Sequence, residues 1–494
     1  MNEAIRELQP KEVWNKFADL NAVPRPSKKE ERVIQFMLDF GKSLGFETFK
    51  DAVGNVIIRK PASKGMEDRV TVTLQSHLDM VHQKNNDTVF DFDKQGIEMF
   101  VQDDWVKAKG TTLGADNGMG VAAIMALLQS TDITHPPLEA LFTIDEETGM
   151  TGAMGLEGGV LKGEILLNLD TEEDDELDIG CAGGIDITAT RKYNEKSVPR
   201  ATVAYKITVN GLNGGHSGIE IHKGLGNANK IMNRFLYGAS NSFMLRISEI
   251  DGGSLRNAIP RESVAKIVIL KSQSEEFEKS IKAYELTVKN ELSVLEPNLK
   301  VSFESVKLPK SVMGLGAQER LLQGIYAAHN GVYAMSAAIP DLVETSNNVA
   351  RVLVKDGEAK IGCLTRSSVD SGKMDLANAL KATFEMARFD VKFSGTYPGW
   401  TPNANSKILK VAEEKYKTLF GEKPKVAACH AGLECGILGQ NYPEMDMISF
   451  GPTILGAHSP DERVSISSTQ KFWKFLLNIL EDIPKKINDK KKVI

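Results

Sequence analysis

His77 and Asp79 lie in the stretch VTVTLQSHLDMVH at Val70–His82. Val70–Gln75 mixes alternating and β-branched residues and reads as a buried strand running straight into Ser76-His77-Leu78-Asp79. In an extended segment residues two apart share a face, so His77 and Asp79 point the same way. An imidazole that binds a metal through one nitrogen needs a carboxylate to hold the other N–H, and this spacing supplies one. Taken alone, the stretch also reads as a strand that ends in a polar turn.

Five further polar clusters follow apolar runs. Asp116 sits in Gly114-Ala115-Asp116-Asn117-Gly118, where glycines let the backbone turn sharply and approach an ion; a plain helix N-cap is the alternative. Asp145-Glu146-Glu147 ends the run LEALFTI, and adjacent carboxylates at the end of a buried strand repel unless a cation intervenes. Asp170 ends ILLNLD, ahead of an acidic run read as a solvated loop. His216 lies in GGHSG and His458 in GAHSPDE. Two histidines (His77, His458) and four acids (Asp116, Glu146, Glu147, Asp170) form a mixed set without thiolates, the kind a pair of zinc or manganese ions takes in a hydrolytic site. One carboxylate can bridge two such ions roughly 3.5–4 Å apart.

The elements that must position these groups are legible in outline. Lys11–Leu44 reads as two helices, the second opening at Ser27-Lys28-Lys29-Glu30 with the look of a capping box. Strands at Asn55–Arg59, Val70–Gln75, Glu139–Ile144 and Glu164–Leu169 alternate with helices, Gly118–Gln129 among them. That alternation predicts an α/β domain with a mostly parallel central sheet, whose active residues gather at the carboxyl ends of the strands. From about Ile187 to Gly399 the strands become one-sided, as in an α+β domain. There the order strand, helix, strands, helix occurs twice, around Thr202–Leu292 and Lys300–Val391. The expected architecture is a catalytic domain of residues 1–186 and 400–494, interrupted by an inserted domain of two similar halves at 187–399. The basic tail Lys485–Ile494 reads as a frayed, solvated end.

With 494 residues, a net charge of −6, 41% hydrophobic and 26% charged residues, the composition is that of a soluble multidomain protein. It gives no sign of nucleic-acid binding. No apolar run approaches the roughly 18 residues of a membrane span. The start MNEAIRELQP lacks the layout of a signal peptide. Cys181, Cys363, Cys429 and Cys435 make no disulfide framework, which fits a reducing cytoplasm.

The segments SHLDMVH, GADNG, DEETGM, NLDTEE, GGHSG and GAHSPDE occur in the order found in the zinc aminoacylase/carboxypeptidase superfamily of metallopeptidases, which the chain resembles along essentially its whole length. TSNN at Thr345–Asn348, RSSVDS at Arg366–Ser371, YPGW at Tyr397–Trp400 and CHAGLECG at Cys429–Gly436 resemble its aminoacyl-histidine dipeptidase branch. The resemblance implies two divalent ions, zinc foremost with manganese or cobalt able to substitute. His77, Asp116 and Asp170 would hold one ion and Asp116, Glu147 and His458 the other, with Asp116 bridging. Asp79 would orient His77, and Glu146 would be the general base acting on a metal-bridging water. A cis peptide is implied at Asp116–Asn117.

By the same resemblance the inserted domain is a lid. Its His216 would stabilise the oxyanion, Asn257 and Arg366 would bind the substrate's C-terminal carboxylate, and His430 and Glu434 would lie near its free amino group. The implied activity is cytosolic hydrolysis of Xaa-His and other unblocked dipeptides. The competing readings are an N-acyl amino acid deacylase or metallocarboxypeptidase, and, disfavoured, a non-enzymatic binding protein. Small dipeptides are the expected partners, and a homodimer is one option for the assembly. His82, His135, His222 and His329 have no motif support and read as surface or packing histidines.

Overall fold

All six residues of the strand Val72–His77 are buried. A strand covered on both faces is the signature of the interior of a parallel sheet. In the computed structural model, which describes residues 2–85, 87–337, 339–403 and 405–486, this strand lies inside an eight-stranded sheet. The order is Glu47–Lys50, Val56–Lys60, Leu138–Thr143, Val72–His77, Ile165–Asn168, Asp446–Ser449, Glu176–Cys181, Lys425–Cys429. The central four strands are parallel. Antiparallel pairing begins at Val56–Lys60 on one side and at Glu176–Cys181 on the other. The sheet is therefore mixed, with its parallel part confined to the middle. The strand runs two residues further than the expected Val70–Gln75, so His77 is its last residue.

Helix Ala115–Gln129 is buried almost throughout, between helix Lys11–Asn21 and strand Val72–His77. Its glycines and alanines follow from that confinement: a Cβ on Gly120 would come within 2.6 Å of Ser76 Oγ and 2.8 Å of the Leu169 carbonyl. One expectation near the start of the chain fails. Helix Glu31–Ser43 carries no Ser27 capping box, because the Ser27 hydroxyl donates to Asp79 Oδ2 at 2.8 Å instead. The tail is tied down where it is described: Lys485 Nζ lies 2.7 Å from Asp68 Oδ2, and the Lys486 N–H donates to the Asp68 carbonyl. Residues 487–494 of the expected solvated tail lie outside the described residues.

The chain divides into two units, Met1–Gly180 with Trp400–Ala428 and Leu433–Ile494, and Cys181–Gly399 with Cys429–Gly432. The first division falls six residues before the sequence-based boundary. Strand Gly183–Lys192 is paired along its whole length inside the second unit, from Gly183↔Ser367 to Lys192↔Glu358.

The second unit carries a nine-stranded sheet whose pairings are all antiparallel. One half is Thr202–Asn210, helix Ala228–Ser242, Arg246–Gly252, Ser263–Leu270, helix Ser274–Glu291 and Lys300–Val306. The other is Gly183–Lys192, helix Leu315–Ala327, Val343–Lys355, Glu358–Ser367, helix Asp370–Met386 and Asp390–Tyr397. Each half has its own first strand between its third and fourth in the sheet. Lys300–Val306 thus closes the first half instead of opening the second, and the second half takes its first strand from ahead of the first. Periodicity could not reveal that exchange, because both strands alternate in the same way.

Candidate active site

Three parallel strands deliver the polar residues of the first unit. His77 ends Val72–His77, Asp145-Glu146-Glu147 follows Leu138–Thr143, and Asp170 follows Ile165–Asn168. Asp116 comes from the start of helix Ala115–Gln129, where Asp116 and Asn117 depart from helical dihedrals and are joined by a cis peptide bond. His458 comes from the loop before Arg463–Ser465, at a left-handed φ of 65°.

These residues converge. His77 Nε2 lies 3.2 Å from Asp116 Oδ1, 3.5 Å from Asp170 Oδ1 and 4.0 Å from Glu146 Oε2. His458 Nε2 lies 3.3 Å from Asp116 Oδ2 and 3.0 Å from Glu147 Oε2. Asp116 therefore turns one oxygen toward each imidazole. Among the described residues three ligand-competent groups result: His77 with Asp116 and Asp170, His77 with Glu146 and Glu147, and Asp116 with Glu147 and His458. Asp145 turns the other way and accepts from the Thr148 and Thr151 hydroxyls within its own turn.

The electrostatics of the set call for cations. Burial, then the neighbouring acids Asp116, Asp170 and Glu147, hold the Asp170, Glu146 and Glu147 carboxyls above their ordinary range. Asp116 is held low: burial opposes ionisation, but both histidines outweigh it. Hydrogen bonds to Asp116 and Glu147 push His458 up to about 11. His77 also stands well above the usual imidazole value, where Asp170, Asp116 and Asp79 overcome its burial. Glu147 Oε1 is buried with no hydrogen-bond partner among the described residues. Four carboxylates, two imidazoles and an orphaned carboxylate oxygen fit a pair of hard or borderline divalent ions.

Asp79 is fully buried and spans the site from behind. Its Oδ1 lies 3.4 Å from His77 Nδ1 and accepts from the Glu146 N–H at 3.0 Å, while Oδ2 accepts from the Glu147 N–H at 3.3 Å. Asp79 thereby fixes the imidazole, through its carbonyl 3.1 Å from Nδ1 as well as Oδ1, and its carboxylate fixes the backbone carrying two glutamates.

Other groups escaped the sequence reading. Glu462 accepts the N–H groups of Leu113 and Gly114 on one oxygen and those of Ala115 and Asp116 on the other, at 2.7–3.2 Å. It holds the turn that presents Asp116. Burial pushes its carboxyl up to about 7, against the pull of those N–H donors. Arg25, wholly buried, donates to the carbonyls of Leu78, Asp79 and Gly114, and desolvation lowers it to about 10. Asn117 donates to Asp170 and to the Leu169 carbonyl. Glu462 stood inside the GAHSPDE segment, a usable signal. Arg25 offered none, because only the fold buries it.

Glu434 opens helix Glu434–Asn441 in the first unit and accepts from Gln75 and Thr143, each at 2.6 Å. His430, four residues earlier, belongs to the second unit, where its Nε2 meets Ser346 Oγ at 2.8 Å. Burial, then Arg366 and His216, lower it to about 3, so it is neutral. In the same unit Arg366 donates to the Tyr397 hydroxyl at 2.9 Å and approaches His216 Nε2 at 3.5 Å. His216 Nδ1 accepts from the N–H groups of Gly218 and Ile219, which leaves Nε2 to carry the proton. Two donors, His216 and Arg366, thus converge on one spot, an arrangement made for an anion. Asn257 is tied to the neighbouring Ser217 by its carbonyl, which accepts that N–H, and its side chain is exposed. Of the histidines without motif support, His135 is buried and bonds the Pro136 carbonyl, His329 bonds those of Gly331 and Val332, and His82 and His222 are exposed.

The sequence model of peptidase family M20/M25/M40 matches residues 73–482. The cytosol non-specific dipeptidase of Escherichia coli K12 is 44% identical over 482 residues, 98% of this chain and 99% of that one. The crystal structure of aminoacylhistidine dipeptidase from Vibrio alginolyticus superposes with a TM-score of 0.90 at 43% identity, over 99% of this chain and 100% of that one. An aminopeptidase structure from Bacillus cereus, 16% identical, shares the fold with a TM-score of 0.56 over 96% of this chain and 99% of its own.

Proposed function

The chain belongs to peptidase family M20/M25/M40 and is a peptide hydrolase, and on that premise we propose that it is a cytoplasmic, metal-dependent dipeptidase cleaving Xaa-His and other dipeptides with unblocked ends. The observation that carries the reading is the sharing of Asp116 between the His77–Asp170 group and the Glu147–His458 group. The dipeptide specificity draws on two near-full-length relatives named as a non-specific dipeptidase and an aminoacylhistidine dipeptidase.

His77, Asp116 and Asp170 would hold one ion and Asp116, Glu147 and His458 the other, zinc foremost, with manganese or cobalt able to substitute. When bound, such a pair polarises the scissile carbonyl and brings the pKa of the attacking water toward neutrality. Glu146 is the general base: its backbone is fixed by Asp79 and its carboxylate lies 4.0 Å from His77 Nε2, beside the residues that would hold the ions, where it can take a proton from water and pass it to the leaving amine. Asp79 sets the His77 ring and tautomer. In the second unit, read as the lid, His216 stabilises the oxyanion. Arg366 and Asn257 take the substrate's terminal carboxylate, while His430, hydrogen-bonded to Ser346, lies near the free amino group. Glu434 takes the free amino group.

The test is to strip the protein with a chelator, reload it with zinc, manganese or cobalt, and compare Xaa-His dipeptides with N-acetyl amino acids. Activity should vanish on stripping, return with metal and favour the dipeptides. Full activity in the stripped protein, or a preference for N-acetyl amino acids, overturns the reading.

A further inference from the structure

Between Glu434 and a second buried carboxyl, Asp178, runs an unbroken line of side-chain hydrogen bonds crossing the strands that carry the site. Gln75 and Thr143 donate to Glu434 Oε2 at 2.6 Å. Asn168 donates to Gln75 Oε1, and Ser449 donates to Asn168 Oδ1. Thr171 Oγ1 lies 2.8 Å from Ser449 Oγ and 2.9 Å from Asp178 Oδ2. Every member is buried.

Counting hydrogens restricts the charge on the two ends. Thr171 and Ser449 bring one hydroxyl hydrogen each, but three contacts must be filled between Asp178 and Asn168. With Asp178 ionised and the amides as placed, two oxygens face each other without a hydrogen. The line is complete if Asp178 carries a proton and donates to Thr171, Thr171 to Ser449, Ser449 to Asn168, Asn168 to Gln75, and Gln75 to an ionised Glu434. The reverse assignment needs both amides turned over and the proton on Glu434. Either way the pair holds one proton. The first assignment leaves Glu434 anionic with Oε2 saturated and Oε1 buried without a partner among the described residues.

We propose that Asp178 stores the single proton of this line and so acts as the positioning residue that keeps Glu434 ionised, with Oε1 reserved for the ammonium group of an unblocked peptide. This rests on the dipeptidase reading only for the identity of the ammonium. His77 favours the ionised form of Glu434 against the nearby carboxylates Asp79, Glu146 and Asp170, whereas at Asp178 Glu176 opposes ionisation and Lys425 favours it. Burial raises both end carboxyls to about 7, where one shared proton is retained.

The test has a spectroscopic arm that needs no turnover. Infrared difference spectra of the zinc-loaded protein at neutral pH, in D2O, compare wild type with D178N and with E434Q. The C=O stretch of a buried protonated carboxylic acid should be lost in D178N and kept in E434Q. A band lost in E434Q but not in D178N, or no such band at all, overturns the proposal while leaving the dipeptidase reading intact. In the kinetic arm E434Q should raise KM for an Xaa-His dipeptide roughly tenfold or more, the loss of a charged hydrogen bond, with kcat little changed. An unchanged KM overturns the ammonium assignment.

Discussion

Replacing Glu462 by glutamine changes one atom in a side chain that touches no substrate, yet it should loosen the turn that presents Asp116. Glu462 receives four backbone N–H groups, two per oxygen. Glutamine keeps one oxygen and sets an NH2 group against the other two donors. Two buried N–H groups left without an acceptor cost about 1–3 kcal/mol each, so about 4 kcal/mol is the expected loss at Leu113–Asp116. That corresponds to roughly a thousandfold in the local opening equilibrium. A global melting curve is the wrong observable for a chain of two units. Hydrogen exchange of the peptide spanning Leu113–Asn117 in metal-free protein reads the local opening directly. Metal is withheld because a ligand that binds only the closed turn would mask the change. Protection should fall by about three orders of magnitude there and stay unchanged in the second unit. A fall of less than about tenfold would refute the view that Glu462 holds the turn.

Glu146→Ala should lower kcat by roughly 10²–10⁴ while metal content, measured by elemental analysis, stays at the wild-type level. Asp79→Asn should weaken metal binding roughly 10–100-fold in a chelator competition, because it disturbs the His77 tautomer and the Glu146 and Glu147 backbone together. Metal affinity should rise with pH. In the metal-free protein His458 keeps its proton up to about 11 and His77 well above the usual imidazole value, so at neutral pH a cation must expel both protons. Apparent affinity then gains up to about tenfold per pH unit for each proton released. Calorimetry in buffers of different ionisation enthalpy should count at least two protons at pH 7, because the raised Asp170 and Glu147 carboxyls add to the two from the histidines, and a count of zero would contradict the assignment.

What the sequence made legible follows from where information is local. His77 and Asp79 two apart at the end of a strand, Asp116 among glycines and Glu146-Glu147 after an apolar run carry their meaning within a few residues, and the fold brings them to one place. Arg25 does not: an arginine between two prolines looks solvated until Leu78, Asp79 and Gly114 close around it. Ser27 misled for the same reason, since a local capping pattern lost its hydroxyl to Asp79, 52 positions away. Alternation identified strands well and pairing poorly. It could not tell that Lys300–Val306 completes the first half of its sheet, or that Gly183–Lys192 belongs to the second.

The place of Asp446–Ser449 has a consequence for biosynthesis. It lies between Ile165–Asn168 and Glu176–Cys181, although about 260 residues of chain separate it from the latter. At roughly 5–20 residues per second on the ribosome, those two strands wait on the order of ten seconds to a minute for the partner that fills the slot between them. Their unpaired edges are, for that interval, templates for another chain. His458 emerges later still, so the set of groups around Asp116 is complete only after nearly all of the polypeptide has left the ribosome. Closure of the sheet and assembly of the groups around Asp116 are therefore late events in the life of the nascent chain.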